Sequence, residues 1–493
     1  MNAAFLRPLR WHTAAALAVA LAVPLAAPIA RADDFPTPPP PAAPRALKIA
    51  TPTERSLPNG LRVVVAERPG LPLVTTELLV QTGSAADPDN LAGLAALTAG
   101  TLDKGSAKHS APQIAQTAES LGGSIGTGAG WHAMSVGMTV TRPKLDAALD
   151  LMAEVARTPT FAPAEIDRVR RQMLDGLKVS LADPRRLAGL AANRAVFGAS
   201  VYGQSRSGTP ATLARITRAD LVRAHNAAFR PDNAVLVFAG DITLDDAVAL
   251  ATKALGDWKR PAQALAQAQV GAPQPIAAPL VVVDMPGAGQ AGVVVAIPSI
   301  ARNAPDWTIG QVANAVLGAG YSSRLNQEIR IKRGLSYGAG SGIDARRAGG
   351  IFTAATQTKN ESAPQVLDLI RTEIARMAAT APADDELAAR KATLIGNFSR
   401  SLETTDGLAG NVASLVTDAL PLDQLGRFIA EIEAVSPQQV QSFAQAHWPA
   451  GQERAVVVGD AKQFGAALTA ANPQALTIAR DRLDLDRADL VQH

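Results

Sequence analysis

Short runs of apolar and β-branched residues alternate along this chain with longer segments in which apolar residues recur at helical spacing. Residues 61–66 and 73–81 have the length and the residue types of buried strands. The segments that follow such runs are rich in alanine and leucine, as is typical of amphipathic helices. The alternation predicts an α+β fold, with sheets covered by helices, that begins near Thr51.

One part of this pattern occurs twice. In residues 216–241 the N-cap Thr217 is followed by a helix, an aromatic residue, a turn and an apolar strand that ends in Gly-Asp. Residues 435–460 repeat the same order in the same register, with Ser436 as the N-cap. The repeat predicts two homologous halves, each an α/β sandwich, joined by a segment rich in alanine, proline and glutamine.

The start of the chain has a different composition. Residues 1–32 combine a basic start with an apolar stretch and end in Ala30-Arg31-Ala32, whose small residues are typical of a signal-peptide cleavage site. We therefore expect cleavage after Ala32 and a periplasmic or secreted protein. The apolar stretch is short and ends in prolines, so no stable membrane span is expected. The predicted organisation is a signal peptide at 1–32, a proline-rich leader at 33–50, an N-terminal half at 51–258, a linker at 259–279, a C-terminal half at 280–461 and a tail at 462–493, whose end at 481–493 is a helix cap or frayed.

Composition removes several classes of function. The chain has no cysteine, which excludes a disulfide framework, a cysteine nucleophile and a cysteine metal site. Lys and Arg number 47 against 44 Asp and Glu, and no basic block stands out, so no nucleic-acid partner is expected. No two of the 6 histidines have helical metal-ligand spacing. A metal site built from His109 and His132, brought together by the fold, remains an alternative.

Residues 93–106, Gly-Leu-Ala-Ala-Leu-Thr-Ala-Gly-Thr-Leu-Asp-Lys-Gly-Ser, resemble the zinc helix of the pitrilysin/insulinase-like metallopeptidases. That helix carries His-x-x-Glu-His, in which two imidazoles hold Zn²⁺ and the glutamate takes a proton from the bound water. The resemblance places Ala96 and Gly100 at the histidines, Ala99 at the glutamate and Gly176 at the third ligand, a glutamate in the family. None of these four side chains can bind zinc or move a proton, so we expect no metal in this chain.

A second segment keeps the family's pattern. Residues 321–337, Tyr-Ser-Ser-Arg-Leu-Asn-Gln-Glu-Ile-Arg-Ile-Lys-Arg-Gly-Leu-Ser-Tyr, resemble the family's helix-to-strand segment, whose arginine and tyrosine face the substrate. These residues are Arg330 and Tyr337. Gly334 is predicted to end the helix and Leu335 to begin the next strand, so that the two donors converge. A guanidinium and a phenol can hold a peptide carbonyl and stabilise an oxyanion, but they cannot activate water.

The resemblance implies an architecture and a role. Family members pair two similar α+β domains, and two such pairs close like a clam shell around a chamber, of which this chain would form one half. It implies a non-zinc subunit, inactive alone, that contributes Arg330 and Tyr337 to peptide-bond hydrolysis. The partner would be a homologous subunit with His-x-x-Glu-His and Zn²⁺, and the substrates would be peptides. The rival interpretation is a catalytically inactive peptide-binding or assembly protein with the same fold.

Two further motifs match known functional patterns, one for nucleotide binding and one for a serine hydrolase, but each lies in the wrong predicted structural context. Residues 287–292 match the dinucleotide fingerprint, but they lead into a second predicted strand rather than a helix, so a hairpin turn is expected. Residues 334–338 match the nucleophile elbow around Ser336, with Asp384 and His447 following in the order of a hydrolase triad. The elbow must run from strand to helix, whereas this segment is predicted to run from helix to strand.

Overall fold

The computed structural model describes residues 49–265 and 268–493. The predicted signal peptide and residues 33–48 of the leader lie outside the described residues. The described strands form two six-stranded sheets. Those of the first sheet are β1 Thr53–Ser56, β2 Arg62–Glu67, β3 Leu73–Val80, β4 Ile125–Ala129, β5 Met134–Thr141 and β6 Ala234–Gly240. Those of the second are β7 Leu280–Asp284, β8 Ala291–Ser299, β9 Ala339–Arg346, β10 Gly349–Thr358, β11 Arg454–Gly459 and β12 Leu476–Ala479.

The two sheets share most of their topology. The strand order is β1-β2-β6-β3-β5-β4 in the first sheet and β12-β7-β11-β8-β10-β9 in the second. Five strands are equivalent in the two sheets, β2 to β6 in the first and β7 to β11 in the second. Within each set the first strand pairs in parallel with the last, β2 with β6 and β7 with β11, and the other three pairings are antiparallel. The sheets differ at one edge, where β1 is antiparallel to its neighbour and β12 is parallel. The α+β prediction is therefore confirmed.

Sixteen α-helices connect or cover these strands within the described residues. In the first half they are α1 Leu94–Thr101, α2 Ala111–Ser120, α3 Leu145–Arg157, α4 Pro163–Ala182, α5 Pro184–Phe197, α6 Pro210–Arg215, α7 Arg218–Ala228 and α8 Leu244–Leu255. In the second they are α9 Trp307–Leu317, α10 Arg324–Asn326, α11 Ala363–Ala379, α12 Asp384–Ser401, α13 Thr405–Thr417, α14 Gln424–Ala434, α15 Pro437–His447 and α16 Gly465–Ala471.

The predicted caps of the repeated helices are present. The Thr217 side chain accepts a hydrogen bond from the backbone N–H of Asp220 at the start of α7, and Ser436 accepts one from Gln439 at the start of α15. Such a cap satisfies one of the free N–H groups of the first helical turn. Phe229 and Trp448 end the two helices, and the apolar strands β6 and β11 follow.

The central strands of each sheet are buried on both faces, which explains their uninterrupted apolar runs. In β2, Val63 and Val65 belong to the core under the helices of the first half, while Val64 and Ala66 face the opposite way. Because successive side chains of a strand point to opposite faces, one run of valines supplies two different cores. In each sheet, the face turned away from the helices of its own half is covered by a helix from the other half.

Each half gives one helix to the other half's sheet. Helix α5, from the first half, packs on β8 and β11 of the second sheet. Helix α13, from the second half, packs on β3 and β6 of the first sheet. The apolar faces of both helices are closed to solvent, as are the strand residues beneath them. We call this arrangement the helix exchange; it joins the two halves, which belong to one compact unit over the described residues.

The glycine-rich turn between β7 and β8 belongs to this packing. The hairpin prediction for residues 287–292 is wrong, because β11 lies between the two strands it connects. Gly292 has a different reason to be glycine. A Cβ built there would lie 2.5 Å from both the Cα of Arg185 and the carbonyl oxygen of Pro184, so its absence lets α5 approach the sheet.

Replacing Gly292 with Ala should therefore lower the free energy of unfolding by about 2–3 kcal/mol, as is usual for overpacking against fixed backbone. Chemical denaturation of the full chain measures this. The matched control is Gly289→Ala in the same turn, where an added Cβ meets no atom within 4 Å. Equal stability of the two variants would contradict the close approach of α5 to β8.

The end of the chain is packed rather than frayed. Residues 476–479 form β12, which pairs with β7, although the tail was expected to begin at 462. The segment then crosses to the first half, where the guanidinium Nε of Arg194 donates to the carbonyl oxygen of Leu485 at 2.9 Å. Leu490 is completely buried. Leu483, Leu485 and Val491 pack beside it, but they are spaced by charged residues in no regular period, so the sequence suggested only a helix cap or a frayed end.

A caged cation holds the two halves together at the β9–β10 turn. Arg346, which is 4% exposed, has its guanidinium carbon 4.2 Å from the ring centre of Trp131 and 4.8 Å from those of Phe197 and Tyr202. Its Nη1 also donates to the carbonyl oxygen of Tyr202 at 3.0 Å. Cation–π contacts gain strength when the cation is desolvated, as here. Beside this cage, burial and the charges of Arg347 and Arg346 lower the pKa of His132 to about 4.

This pKa predicts a loss of stability in acid. Because the folded state disfavours the protonated imidazole, the contribution of His132 is present above its ordinary pKa of 6.5 and is lost as the pH falls toward about 4. Since the ring is partly exposed, we expect about 1–2 kcal/mol rather than the full equivalent of the shift. Unfolding free energies at several pH values should show a shallower acid slope in His132→Gln than in the wild type. His493→Gln, at an exposed position, should keep the wild-type slope.

Candidate functional site

The segment from Tyr321 to Tyr337 joins α9 to β9 and carries the two predicted site residues. After α10 the helix widens into a π-turn at Gln327–Ile331, in which the backbone N–H of Lys332 bonds to the carbonyl oxygen of Gln327 at 2.9 Å. Such turns are rare and occur frequently at functional sites. Arg330 lies inside this π-turn, a distortion that residue types alone did not reveal.

The guanidinium of Arg330 is placed by an aromatic ring. Its central carbon lies 5.0 Å from the ring centre of Tyr321, whose side chain is 63% exposed. Within the part of the chain that the structure describes, this guanidinium has no ion pair and no hydrogen bond. A cation–π contact uses the face of the guanidinium and leaves its N–H groups free. Arg330 can therefore donate to an acceptor that comes from outside the chain.

The loop that presents Tyr321 is fixed on both sides. The amide of the buried Asn326 donates to the carbonyl oxygen of Tyr321, and its Oδ1 accepts from the backbone N–H of Ala339 at 3.3 Å. Arg390 donates from Nη2 to the carbonyl oxygen of Ser322 at 2.6 Å. One amide thus connects the loop before α10 to the first residue of β9. Asn326 acts as a positioning residue that the sequence reasoning missed.

Tyr337 lies on a loop, and the prediction that the strand begins at Leu335 is wrong. Gly334 does end the helix, with a φ of 62°, but the N–H of Leu335 then bonds to the carbonyl oxygen of Ile329 at 2.9 Å. The carbonyl of Leu335 accepts from the hydroxyl of Thr358 at 2.7 Å. With both groups occupied, Leu335 cannot join the strand ladder, which begins at Ala339. The Tyr337 side chain is 92% exposed.

The structure brings Arg330 together with Tyr321 and not with Tyr337. No hydrogen bond or cation–π contact joins Arg330 to Tyr337 among the described residues. Both side chains nevertheless belong to the segment from Tyr321 to Tyr337, which we call the exposed patch. Of the large hydrophobic residues that are exposed in the described chain, three fall in this segment: Tyr321, Ile331 and Tyr337. Exposed aromatic residues around a free arginine are typical of binding surfaces.

The other charged side chains near Arg330 are held in ion pairs, in which one carboxylate binds two cations. Glu328 pairs with Lys332 and, at 2.5 Å, with Arg333. The hydrogen bonds from Lys332 and Arg333 lower the pKa of Glu328, which stays ionised at neutral pH. Arg330 is thus the cation of this π-turn that no carboxylate balances within the described residues.

Helix α1 carries three of the four positions that the resemblance assigned to zinc chemistry. Ala99 is fully buried, while Ala96 and Gly100 are partly exposed. A Cβ built on Gly100 would lie 3.2 Å from the Cγ1 of Val169 in α4. The helix is therefore packed for small side chains at the positions where two imidazoles and a carboxylate would be needed.

The fourth position, Gly176, is exposed on α4. The carboxylate beside it, Asp175, is 71% exposed and pairs with the Nζ of Lys178 at 2.9 Å. Within residues 49–265 and 268–493, no group of three or more His, Cys, Asp or Glu side chains is placed to hold a metal ion. The residues present at this position do not fit a zinc ion.

A buried carboxylate that the sequence reasoning missed holds the start of α1. The Oδ1 of Asp87 accepts from the backbone N–H of Ala95 at 2.9 Å, and the Oδ2 accepts from Gly93 at 3.1 Å. Burial raises the pKa of Asp87 to about 7, although these bonds oppose the rise. An acidic residue shortly before a helix was the available signal.

Comparison with known proteins decides the family. Residues 62–206 match the family model of the insulinases, peptidase family M16, and residues 215–394 match the model described as the peptidase M16 inactive domain. The chain belongs to the M16 peptidase family. An uncharacterized zinc protease of Streptomyces coelicolor is 26% identical over 404 residues, which are 80% of this chain and 87% of that protein. A Helicobacter pylori protein named non-peptidase homolog YmxG is 22% identical over 386 residues, 78% of this chain and 88% of its own length.

Solved structures agree with this assignment. The peptidase M16 inactive domain from Pseudomonas fluorescens superposes with a TM-score of 0.78 at 28% identity, covering 83% of this chain and 98% of that one. A protease from Helicobacter pylori shares the fold with the same TM-score at 18% identity. The two six-stranded sheets with their helices are thus the two-domain M16 fold.

The structure supports neither of the two alternative sites in this M16 protein, the metal site of His109 and His132 and the serine triad around Ser336. His109 bonds through Nδ1 to Glu154 at 2.8 Å, whereas His132 bonds through Nε2 to the hydroxyl of Tyr202 at 2.8 Å. The two histidines therefore have different partners. His447 bonds to Asp306 at 2.5 Å, and Ser336 lies on a connection that runs from helix to strand, as predicted, so the elbow geometry is absent there. Among the described residues no helix is long and apolar enough to cross a membrane.

Proposed function

We propose that this chain is the non-zinc subunit of a heterodimeric M16 peptidase and contributes substrate-binding groups to a zinc site in its partner. The observation that carries the proposal is Arg330, a guanidinium whose face is covered by Tyr321 and whose N–H groups have no acceptor among the described residues. At the positions where the family's zinc subunits carry their ligands and catalytic glutamate, this chain has Ala96, Ala99, Gly100 and Gly176. A chain with a free carbonyl-binding group and no means of activating water needs a second chain to hydrolyse a peptide bond.

The role of each group follows from its chemistry. Arg330 is positioned to donate two N–H bonds to a peptide carbonyl and to stabilise the negative charge that develops on its oxygen. Tyr337 offers a phenolic hydroxyl from an exposed loop, and closure of the partner over this patch would bring it to the same peptide. The metal and the attacking water belong to the partner, a homologous subunit with His-x-x-Glu-His, across a chamber that the two chains enclose.

The experiment is purification of the tagged full chain from its own cells, followed by identification of proteins recovered in near-equal amount. We expect an M16 protein with His-x-x-Glu-His, and peptide hydrolysis by the mixture but by neither chain alone. Recovery of the chain alone, or a mixture whose hydrolysis equals that of the zinc subunit by itself, would favour the alternative, a catalytically inactive peptide-binding or assembly protein.

We also propose that the mature protein is periplasmic and begins at Asp33. The support is the sequence of residues 1–32. Amino-terminal sequencing of the protein from a periplasmic extract tests this, since a retained Met1 would exclude cleavage by a signal peptidase.

A further inference from the structure

A polar cavity lies where the two halves meet, and none of its lining residues belongs to the segment around Arg330. A cavity of about 520 Å³ opens at one end of the first sheet and is closed on one side by the β9–β10 turn of the second. We call it the junction cavity; its polar walls come from Arg62, Gln81, His132, Tyr202, Asn233 and Arg347. Its volume suits a small molecule rather than a folded partner.

The hydrogen bonds around His132 fix which of its nitrogens is a donor. The backbone N–H of Arg347 donates to the Nε2 of His132 at 3.3 Å, and the hydroxyl of Tyr202 lies 2.8 Å from the same nitrogen. The backbone N–H of Ala348 donates in turn to that hydroxyl oxygen at 3.3 Å. Since Nε2 accepts, the neutral ring carries its proton on Nδ1. This N–H has no acceptor among the described residues.

The charges that line the cavity are predominantly positive. Among the described residues that line it, Asp232 is the one acid; it is held by Arg230 through bonds of 2.6 and 2.8 Å and by Arg260 at 3.0 Å. Arg347 has no ion pair within the described chain, although its Nε donates to the carbonyl oxygen of Thr417 at 2.5 Å and the nearby Asp418 offsets part of its charge. Arg62 pairs with Glu54 at 2.6 Å, but both side chains are about half exposed, so the pair is weak. Burial first, and then the charges of Arg347 and Arg346, lower the pKa of His132.

We propose that the junction cavity binds a small oxyanion, either inorganic phosphate or a compact polycarboxylate, which Arg62, Arg347 and the Nδ1–H of His132 hold between the two halves. A charged acceptor would satisfy the free donor and balance the two cations, and charge-assisted bonds of this type are the strong ones. The site does not depend on the peptidase partnership, since none of its residues belongs to the patch around Arg330.

Occupancy should stabilise the arrangement of the halves. The walls come from both halves of the chain, so the complete site exists only in the folded molecule. A ligand that binds only the folded state raises its stability in proportion to the logarithm of ligand concentration above Kd. The ligand would thus act as a removable bridge between the first sheet and the β9–β10 turn.

The test is titration of the full chain with sodium phosphate and, separately, with sodium citrate at pH 7.5, by calorimetry and by thermal unfolding. Sodium chloride keeps the ionic strength constant. We expect saturable binding of at least one anion, with a Tm that rises with its concentration. Arg347→Gln and Arg62→Gln should each weaken binding at least tenfold. Arg427→Gln, which removes the same charge from an exposed position on α14, should bind as the wild type does.

The outcomes separate the possibilities. Binding of phosphate alone or of citrate alone identifies the source of the oxyanion, and both support the site. A Tm that responds equally to sodium chloride, or affinities unchanged in both Arg62→Gln and Arg347→Gln, would overturn the proposal. Arg62 is partly exposed at the start of β2, so Arg62→Gln is expected to fold and can test the proposal even if Arg347→Gln does not fold.

Discussion

Two fragments made by dividing the chain between residues 258 and 280 should each fail to fold alone and should recover a stable structure only when they are produced together. The reason is the helix exchange. Without α13 the first sheet exposes Val64, Val235 and Val237, and without α5 the second exposes Val281 and Val456. Each buried aliphatic side chain contributes about 1.5–3 kcal/mol, so the three valines of the first sheet alone account for about 5–9 kcal/mol, comparable to the whole stability of a domain.

Size-exclusion chromatography and thermal unfolding of the separate and co-produced fragments measure this outcome. The intact chain is the control for both measurements. We expect the co-produced fragments to elute as one complex with a cooperative transition, and the single fragments to aggregate or to show none. Cooperative unfolding of the first fragment by itself would mean that α13 is dispensable, which contradicts the packing described above.

Replacing Arg330 with Ala should lower kcat/KM of the reconstituted peptidase about 100- to 1,000-fold, the usual cost of removing one donor to a developing oxyanion. Arg330→Lys should restore only part of the loss, because an ammonium keeps the charge but not the planar pair of donors. Peptide hydrolysis by the purified complex, with its zinc content measured in parallel, provides the readout.

The matched control is Arg333→Ala in the next turn of the same segment, whose guanidinium is occupied by Glu328. We expect its kcat/KM to stay within about twofold of the wild type, as for other exposed ion pairs. If the Arg330→Ala complex forms, retains its zinc and hydrolyses peptides at the wild-type rate, Arg330 has no part in catalysis and the assembly role becomes the better explanation.

The sequence predicted the local features of this molecule well. The caps at Thr217 and Ser436, the helix end at Gly334 and the apolar strands depend on neighbouring residues, so one stretch of sequence contains their cause. The assignment of Ala96, Ala99, Gly100 and Gly176 to zinc positions comes from the resemblance and stays a prediction. These predictions needed no knowledge of the tertiary structure.

Long-range packing was not predictable in the same way. The amphipathic patterns of α5 and α13 say that each helix has an apolar face but not which sheet it covers, and both sheets offer alternating valines. The late start of β9 depends on the hydroxyls of Thr356 and Thr358 in β10, which bind the preceding loop. The stacking of Tyr321 on Arg330 likewise depends on Asn326, whose partners at 321 and 339 lie on opposite sides of it in the sequence.

The helix exchange also determines when the first half can finish folding during synthesis. When the last strand of the first sheet has been made, the helix that covers its second face still lies more than 150 residues ahead in the chain. Until α13 emerges, the growing chain must carry an uncovered valine-rich surface, the kind of surface that aggregates or recruits chaperones. The contacts that finally close it are remote in sequence, so folding should be slow and should finish only after the polymer is almost complete.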